Sequence, residues 1–409
     1  MNASSSSTAS SPVRREADSD RRLWIALGVG MGVSSAGAVL NMLALLTYLY
    51  ERTESPLPVG AAVVLNFLPV VVFLPLITSR LGTWSLRGVT AGTAFLQAVI
   101  AGMMAITAGT QGPLIILFAS SAALGLLTQV LWIAVLSALP KLLSTGKLGR
   151  GNALLQTSTQ SGAVLGAFGL VIQGSAPAWT LFLLDAGTFL VQGVLLMALL
   201  SRTDTNRADT QPAAAAAEPA AARVRPRLRE FGLVLLMPSG FIAMNVLNVA
   251  IPLIIYSRLH EGLREYAATE MAYPVVAILA GALISRYART ALIPAMLVVI
   301  AVGLVGLAFT TDIVLLIVAV GAMGGSVIGA NVSTQVLAQT AIPAESLPRI
   351  QTSASIVAAV LSGVAVLALS TAFDHDASGV ALVGVAVWYL MLVPVSVAVR
   401  RAFDTRVAS

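Results

Sequence analysis

The stretch that decides the fold runs from Gly151 to Leu200 and reads GNALLQTSTQSGAVLGAFGLVIQGSAPAWTLFLLDAGTFLVQGVLLMALL. It contains two apolar runs, 151–173 and 178–200, which a short Gly-Ser-Ala-Pro segment separates. An α-helix rises ~1.5 Å per residue, and the hydrocarbon core of a bilayer is ~30 Å thick, so about 20 apolar residues cross it. Each run therefore predicts a membrane-spanning helix.

Apolar runs of the same length fill most of the chain. We predict twelve membrane spans, at residues 23–49, 57–79, 88–110, 113–138, 151–173, 178–200, 231–257, 267–285, 290–309, 313–340, 350–372 and 378–399. The connections between them are short, except for 201–230, where five consecutive alanines, prolines and an arginine cluster are typical of a linker. The predicted fold class is an all-α integral membrane protein of twelve transmembrane helices in two six-helix bundles.

The predicted domain boundaries follow from these spans. Two six-helix bundles are expected, with a cytoplasmic linker between them and a charged tail at each end, the N-terminal tail being disordered. The boundaries are 1–22 for the N-terminal tail, 23–200 for the N-terminal bundle, 201–230 for the linker, 231–400 for the C-terminal bundle and 401–409 for the C-terminal tail.

Composition excludes several classes of protein. Of the 409 residues, 57% are hydrophobic and 10% charged, whereas a soluble domain is about half apolar and about a quarter charged. An ordinary soluble enzyme and a nucleic-acid-binding domain are therefore excluded. The chain has no cysteine and two histidines, so a metal centre rich in these ligands is not expected. Nor does the sequence carry a catalytic triad or a nucleotide-binding loop, so we expect no enzyme activity, no metal and no cofactor.

The distribution of Lys and Arg predicts the orientation in the membrane. With the N-terminus inside, 21 of the 24 basic residues lie in inside segments, and only Arg52, Arg258 and Arg264 lie outside. Such a bias is the positive-inside rule, and a missed span would have inverted every later loop. We therefore expect both termini in the cytoplasm of a bacterial cell, with the protein in the inner membrane. The net charge of +6 then reflects topology and is no evidence for a nucleic-acid partner.

An internal repeat relates the two halves of the chain. Pro75-Leu-Ile-Thr-Ser-Arg80 after span 2 matches Gly281-Ala-Leu-Ile-Ser-Arg286 after span 8, at an offset of 206 residues. Leu148-Gly-Arg-Gly-Asn152 before span 5 matches Leu347-Pro-Arg-Ile-Gln351 before span 11, at an offset of 199. Two six-helix halves in a parallel repeat are the plan of a secondary transporter, whose binding site lies near the membrane midplane between them.

These motifs resemble the major facilitator superfamily. Within it, the segments SALPKLL, GRGNALLQTSTQSGAVLGAFG and PAWTLFLLDAGTFLVQGVLL, between Ser137 and Leu196, resemble the branch of enterobactin-exporter-like and macrolide-efflux-like drug exporters. The repeat resembles the superfamily's loop motif G-x-L-A-D-R-x-G-R-R, which implies gating roles for Arg80, Arg87, Arg286 and Arg289. In this chain, Ser79 and Ser285 occupy the positions of the motif's aspartate, a residue that in the family helps to latch the halves together.

Two carboxylates fall inside predicted spans, Asp185 in span 6 and Glu270 in the outer part of span 8. Ionisable residues within a membrane are costly to bury and are functional hypotheses by default. A carboxylate in an apolar site can take up and release a proton near neutral pH, which is the chemistry of proton coupling. Each has an alternative: Asp185 as a structural hydrogen-bonding residue, and Glu270 as a residue at the outer water interface.

Uncharged polar residues cluster on the spans that line the cavity in this superfamily. They could bind substrate there, or they could join neighbouring helices by hydrogen bonds. On span 10, Asn331, Gln335 and Gln339 recur every four residues and so share one helix face. The candidate substrate-binding residues are Asn41, Asn66, Gln129, Trp132, Gln156, Gln160, Asn245, Asn248, Tyr273, Asn331 and Gln335.

The resemblance and the two carboxylates together imply a function. We expect a monomeric, proton-coupled antiporter that exports a small, partly lipophilic molecule by alternating access, such as a drug, a siderophore or a secondary metabolite, with a role in multidrug resistance. Its partners would be the substrate, membrane lipid and the proton gradient. The alternatives are a flippase-type carrier of lipid or lysolipid and, disfavoured by the scarcity of ionisable groups, an enzyme or receptor on the same fold.

Overall fold

The computed structural model describes residues 12–53, 56–81, 84–143, 145–173, 177–200, 228–261, 263–287, 290–375 and 377–407. Within these ranges every regular element is helical. The N-terminal half contains α1 (Pro12–Thr53), α2 (Pro56–Leu81), α3 (Leu86–Gly109), α4 (Leu114–Leu142), α5 (Leu148–Gln173) and α6 (Ala178–Leu199).

The C-terminal half repeats this plan. Its first helix, α7, is divided by a turn at Met237 and Pro238 into Leu228–Leu236 and Ser239–Leu253, and continues as a π-helical turn over Ile254–Arg258. The division falls where Pro238 has no backbone N–H to continue the helical ladder. The remaining helices are α8 (Leu263–Tyr287), α9 (Ile293–Phe309), α10 (Ile313–Ala341), α11 (Leu347–Asp374) and α12 (Ser378–Val407).

The twelve helices confirm the predicted all-helical membrane fold. Eight of them are long and apolar enough over their described residues to cross a membrane. The helices α1, α2 and α8 carry shorter apolar stretches, at Leu27–Met42, Leu65–Thr78 and Ala268–Gly281. Below, the linker side is the end of the bundle at which α6 ends and α7 begins, and the far side is the opposite end.

The outermost helices extend beyond the predicted spans. Helix α1 begins at Pro12, within the segment predicted as a disordered tail over 1–22, and α12 continues to Val407 through most of the predicted tail over 401–409. Proline is favoured in the first turn of a helix, and the charged residues that follow are good helix formers, so a helix can continue into water past its apolar part. Residues 1–11 and 201–227 of the predicted tail and linker lie outside the described residues.

Each half has its own hydrophobic core. In the C-terminal half a single buried cluster extends from Leu233 to Val399, and the hydroxyl of Tyr389 within it donates a hydrogen bond to the carbonyl of Ser239. The N-terminal half is packed around three clusters. One includes Leu139 towards the linker side, one includes Phe182 towards the far side, and one around Leu74 also contains Ala359 of α11. The largest buried clusters therefore each lie mainly within one half.

Glycines allow α1 to approach α5 and α6 closely. A Cβ atom at Gly162 of α5 would lie 2.9 Å from the backbone carbon of Gly32 and 2.9 Å from the Cβ of Ser35 on α1. Gly37 of α1 faces Asp185 and Thr188 of α6 at equally short range. Helices in a membrane typically associate at small residues, which let their backbones approach closely. Moving an apolar side chain from lipid into a helix interface gains little free energy, so this close packing matters.

Two arginines on the far side cap the ends of neighbouring helices, and they do so in equivalent places in the two halves. Arg52, at the end of α1, donates from Nη1 to the carbonyl of Gly112 at 2.6 Å and from Nη2 to that of Gln111 at 2.8 Å, beyond the end of α3. Arg258, at the end of α7, donates from Nη1 to the carbonyls of Leu307 and Ala308 at 2.8 and 3.0 Å, in the last turn of α9. Its Nη2 donates to Ser378 Oγ at 2.8 Å.

These hydrogen bonds give a structural reason for two of the three basic residues that lie in the segments predicted to be outside. The last carbonyls of a helix lack partners within the helix and carry the negative end of its dipole, so a guanidinium group is well suited to them. Arg52 and Arg258 are therefore structural caps of this fold.

The two caps differ in exposure, and this gives a testable order of stabilities. Arg52 is exposed and Arg258 is partly buried, so Arg258→Met should lower the free energy of unfolding by about 1–3 kcal/mol through loss of charged hydrogen bonds, and Arg52→Met by less. Thermal unfolding of the purified protein in detergent measures both. Equal effects, or none for Arg258→Met, would contradict the assignment.

Candidate functional site

The two halves touch each other in the linker-side part of the bundle. Helix α5 packs against α8 and α10, and α11 packs against α2 and α4. Ala153 of α5 belongs to a small buried cluster with Ala277 of α8 and with Ile328 and Val332 of α10. Ala153 is five residues from the linker-side end of α5, so the interface is closed on the linker side.

The contact between α5 and α8 is especially close. Gly281 faces the side chain of Thr157, and a Cβ atom built on Gly281 would lie 3.8 Å from the Cβ of Thr157. Any larger residue at position 281 would collide with the methyl group of Thr157. This contact holds the two halves together at one point on the linker side.

Amide side chains bridge the halves beside this contact. Asn152 Nδ2 of α5 donates to Gln339 Oε1 of α10 at 2.6 Å, and Gln339 Nε2 lies 3.4 Å from Asn152 Oδ1 in return. Gln339 Nε2 also donates to the carbonyl of Leu136 in α4 at 3.0 Å. The side chains of Asn152 and Gln339 are 1% and 5% exposed, so these hydrogen bonds are made away from water.

Two further hydrogen bonds continue this polar layer along α11. Ser355 Oγ donates to Gln129 Oε1 of α4 at 3.3 Å, again between the halves. Gln351 Nε2 donates to Gln335 Oε1 of α10 at 3.3 Å, within the C-terminal half. The candidate Gln129 therefore lies at the interface between the halves, whereas Gln335 bonds within the C-terminal half.

Other candidates join helices closer to the middle of the bundle. Asn331 of α10 packs against Gly240 of α7, where a Cβ atom would lie 2.6 Å from the Asn331 Cγ. Asn245 Nδ2 donates to the carbonyl of Phe241 at 2.8 Å and lies 3.4 Å from Ser362 Oγ of α11. The ring of Phe241 meets that of Phe67 of α2 edge-on at 6.1 Å, so α7 also reaches the N-terminal half.

Asn41 and Asp185 bond to each other inside the N-terminal half. Asn41 Nδ2 of α1 donates to Asp185 Oδ2 of α6 at 2.7 Å, and Thr188 Oγ1 lies 3.4 Å from Asp185 Oδ1. Asp185 is 0% exposed and Asn41 6% exposed. Asn41 is also 3.8 Å from Met104 Sδ of α3, so this pair lies in the packing between α1, α3 and α6.

The remaining uncharged candidates differ in exposure. Asn66 of α2 is half-buried and packs on Gly125 of α4, within the N-terminal half. Trp132 is half-buried against the N-terminal core, and Tyr273 is buried in the core of the C-terminal half.

The last three candidates are Gln156, which is half-buried, Gln160, which is 8% exposed, and Asn248, which is exposed. Gln160 follows Thr157 by three residues, so it lies on the face of α5 that meets α8.

Glu270 lies on the face of α8 that is turned towards the N-terminal half. Ala277 and Gly281, seven and eleven residues later, share this face at helical spacing, and both contact α5. Met271, Val275 and Leu279 on the opposite face are exposed, as expected of a lipid-facing surface. Glu270 is half-buried, lies about 10 Å beyond Ala277 towards the far side, and is hydrogen-bonded by Tyr266 one turn away.

The loop-motif arginines are only partly described. Arg87 is half-buried in the first turn of α3, just after Ser85, whose Oγ accepts a hydrogen bond from the N–H of Gly88. The side chains of Arg80 and Arg286, and the whole of Arg289, lie outside the described residues.

Three residues at the interface were not among the candidates: Asn152, Gln339 and Ser355. The sequence contained a signal for two of them, because Gln339 continues the stripe of Asn331 and Gln335, and Asn152 belongs to the internal repeat.

The polar contacts at this interface are hydrogen bonds between neutral groups. One carboxylate, that of Glu270, lies on the face of α8 that is turned towards the interface. Among the described residues no three His, Cys, Asp or Glu side chains are grouped to hold a metal ion.

Comparison with known proteins agrees with this architecture. The chain resembles a bacterial homologue of the iron transporter ferroportin in an outward-facing state, with a TM-score of 0.75 and 15% identity over 92% of this chain and 99% of that one. It also resembles the human organic anion transporter MFSD10, with a TM-score of 0.67 and 11% identity over the same shares. A comparison with curated proteins finds no match. The sequence model of the Major Facilitator Superfamily matches residues 25–369, so this chain belongs to that superfamily of membrane transporters and is not an enzyme.

Proposed function

We propose that this transporter exports a small, partly lipophilic molecule by alternating access, driven by the proton gradient. The observation that carries the proposal is the hydrogen bonding between the halves on the linker side, through uncharged amides at Asn152, Gln339 and Gln129. Bonds of this kind contribute about 1 kcal/mol each, because water can replace them when the halves separate. Such an interface can close tightly and still open within a transport cycle.

The charge distribution supports an uncharged or cationic substrate. The far-side arginines Arg52 and Arg258 are engaged with backbone carbonyls of their own halves, and Glu270 is the ionisable residue on the face of α8 turned towards the other half. A multiply anionic substrate would need cations at the interface. The amides can bind hydrogen-bonding groups, while Trp132 and the many aliphatic residues suit an apolar part of the molecule.

We assign proton coupling to Glu270 and a structural role to Asp185. Asp185 accepts a hydrogen bond from Asn41 in the packing between α1 and α6, so its carboxylate has a local partner. Glu270 lies on the face that leads from the interface towards the far side, where closure and opening would change its exposure to water. A carboxylate in such a place is a natural proton carrier.

Direction and location are part of the same proposal. The Lys and Arg distribution supports a linker and termini in the cytoplasm, in the inner membrane of a bacterium. With the exporter-like motifs of spans 4 to 6, this orientation favours efflux by a monomer of the drug-exporter branch. For the alternative, a lipid carrier, the close contact between Thr157 and Gly281 argues against lateral entry between α5 and α8 at that level.

The proposed substrate class can be tested with the purified protein. Macrolides, catecholate siderophores and lysolipids are compared by ligand-induced thermal shift, since a ligand at 100 times its dissociation constant stabilises by about 2.7 kcal/mol. We expect stabilisation by a macrolide or a siderophore and transport of the same compound in proteoliposomes. Stabilisation by lysolipids alone, with lysolipid translocation, would replace the drug-exporter function by the lipid carrier.

Glu270→Gln should abolish proton coupling. Glutamine resembles the protonated acid but cannot release a proton, so accumulation driven by a pH gradient should fall at least about tenfold, while exchange without a gradient continues. Transport of the stabilising compound in proteoliposomes, with and without a pH gradient, measures this. The matched control is Glu261→Gln, which changes an exposed carboxylate on the same side. A gradient response equal to that of the parent would show that Glu270 does not carry the proton.

Asp185→Asn should leave the gradient response intact. An asparagine at this position can still accept the hydrogen bond from Asn41, whereas Asp185→Leu leaves the buried Asn41 amide without its acceptor and should destabilise the protein by about 1–3 kcal/mol. Thermal unfolding and the same transport assay measure the two variants. If Asp185→Asn loses gradient-driven transport, the coupling residue is Asp185.

A further inference from the structure

A pair of buried amides connects the halves: Asn152 of α5 and Gln339 of α10, with the carbonyl of Leu136 in α4. We call this group the amide clasp. The two carboxamides exchange hydrogen bonds at 2.6 and 3.4 Å, and Gln339 donates a further one to Leu136 at 3.0 Å. Asn152 Nδ2 also donates to the carbonyl of Leu148 at 3.0 Å, which fixes its orientation on α5.

The burial of the clasp makes it effective. Asn152 and Gln339 are 1% and 5% exposed, and a buried amide without partners costs more than its hydrogen bonds contribute. Each amide is therefore satisfied in one of two ways: by the other amide when the halves are closed on the linker side, or by water when they are open. Such a pair has two discrete arrangements and stabilises the closed one.

The sequence around the clasp lacks the usual acidic latch. In the loop motif that the chain resembles, an aspartate helps to latch the halves, and Ser79 and Ser285 occupy the two equivalent positions here. A serine has no charge with which to pair across the interface. A carboxylate at these two positions is therefore not what closes the linker side of this chain.

We propose that the amide clasp is the latch of the linker-side gate and sets the equilibrium between its closed and open states. This rests on the proposed alternating-access function. Because both partners are uncharged at all physiological pH values, the latch is insensitive to pH and to ionic strength. Proton binding at Glu270 would then act on a gate whose closure does not itself titrate.

The absence of cysteine from the chain provides a clean reporter of gate opening. Thr157 packs against Gly281 in the closed interface, and Thr157→Cys is close to isosteric. A membrane-impermeant maleimide added on the linker side reaches this thiol when the halves separate. While the open state is the minor one, the labelling rate is proportional to its population.

In the Thr157→Cys background, Asn152→Leu and Gln339→Leu are each expected to raise the labelling rate at least about fivefold. Each leaves one buried amide without its partner in the closed state alone. The double variant Asn152→Leu/Gln339→Leu removes both amides, so its rate should be lower than the two single effects multiplied together. The thiolate is the reacting species and its fraction rises with pH, so each rate is divided by that of an unstructured thiol under the same conditions. The normalised rate should change less than about twofold between pH 6 and 8 and between low and high salt.

The matched control is Gln97→Leu. Gln97 is also a buried amide, 1% exposed, and its Nε2 donates to Thr128 Oγ1 at 3.0 Å, but both residues belong to the N-terminal half. This variant should leave the labelling rate unchanged, so the removal of a buried amide within one half is distinguished from the removal of an amide that joins the halves. If a single clasp variant is poorly folded, the near-isosteric and uncharged Gln339→Met provides the same test, because its side chain cannot donate to the carbonyl of Leu136.

Labelling at the parental rate in both single clasp variants, or an equal rise in Gln97→Leu, would overturn the assignment of the latch. Labelling requires no substrate, so this result is independent of the transport assays. If the clasp variants open the gate but no compound is transported, the latch stands and the proposed function fails. If transport is found and the labelling rate does not respond, the proposed function stands and the latch is another group.

Discussion

The two halves of this transporter meet through small apolar contacts and through buried hydrogen bonds between uncharged groups. In the proposed transport cycle this interface has to be both buried and separable, and the rest of the account depends on that requirement. A purely apolar interface would be buried from water. Its two surfaces would pack against lipid as favourably as against each other, however, so they would have little tendency to associate. A buried ion pair would have to lose the hydration of both charges each time the interface closed, which costs several kcal/mol per ion. Neutral amides avoid both extremes, because water can take the place of either partner.

Separability in turn requires that each half be stable by itself. The C-terminal half is packed around one buried cluster and the N-terminal half around three, one of which also contains Ala359 of α11. Close packing at Gly162 and Gly37 and the Asn41–Asp185 bond hold α1 against α5 and α6. On the far side, Arg52 and Arg258 each donate hydrogen bonds to backbone carbonyls of their own half. The polar groups that stabilise a half are thus distinct from those that join the halves.

Much of the fold could be predicted from the sequence, because bilayer thickness determines the length of a span. Helix α6, predicted at 178–200, is observed at Ala178–Leu199, and α10, predicted at 313–340, is observed at Ile313–Ala341. The tails were harder, since hydropathy falls where α1 and α12 leave the membrane, but a helix does not have to end there. The division of α7 at Pro238 was also missed, because a proline within a membrane helix is often accommodated without a turn.

The direction in which each polar side chain points could not be predicted. In a membrane helix the lipid side and the core side are both apolar, so hydrophobic periodicity does not tell which way a polar residue points. Asn331, Gln335 and Gln339 share one face in sequence, yet they meet three different helices, α7, α11 and α5. Asn41 was placed with the cavity residues and instead bonds to Asp185, because Gly37 lets α6 approach from the other side.

The central claim is that the halves separate on the linker side during transport, and a reversible cross-link tests it most directly. Thr157→Cys/Gly281→Cys places two cysteines with Cβ atoms 3.8 Å apart across the interface, the typical distance for a disulfide, in a chain with no other cysteine. With the compound identified by thermal shift, oxidation of this double variant should arrest transport, and reduction should restore it, while Thr157→Cys alone is unaffected. Full transport by the cross-linked protein would contradict the account, because the two halves could then not have separated where they are joined.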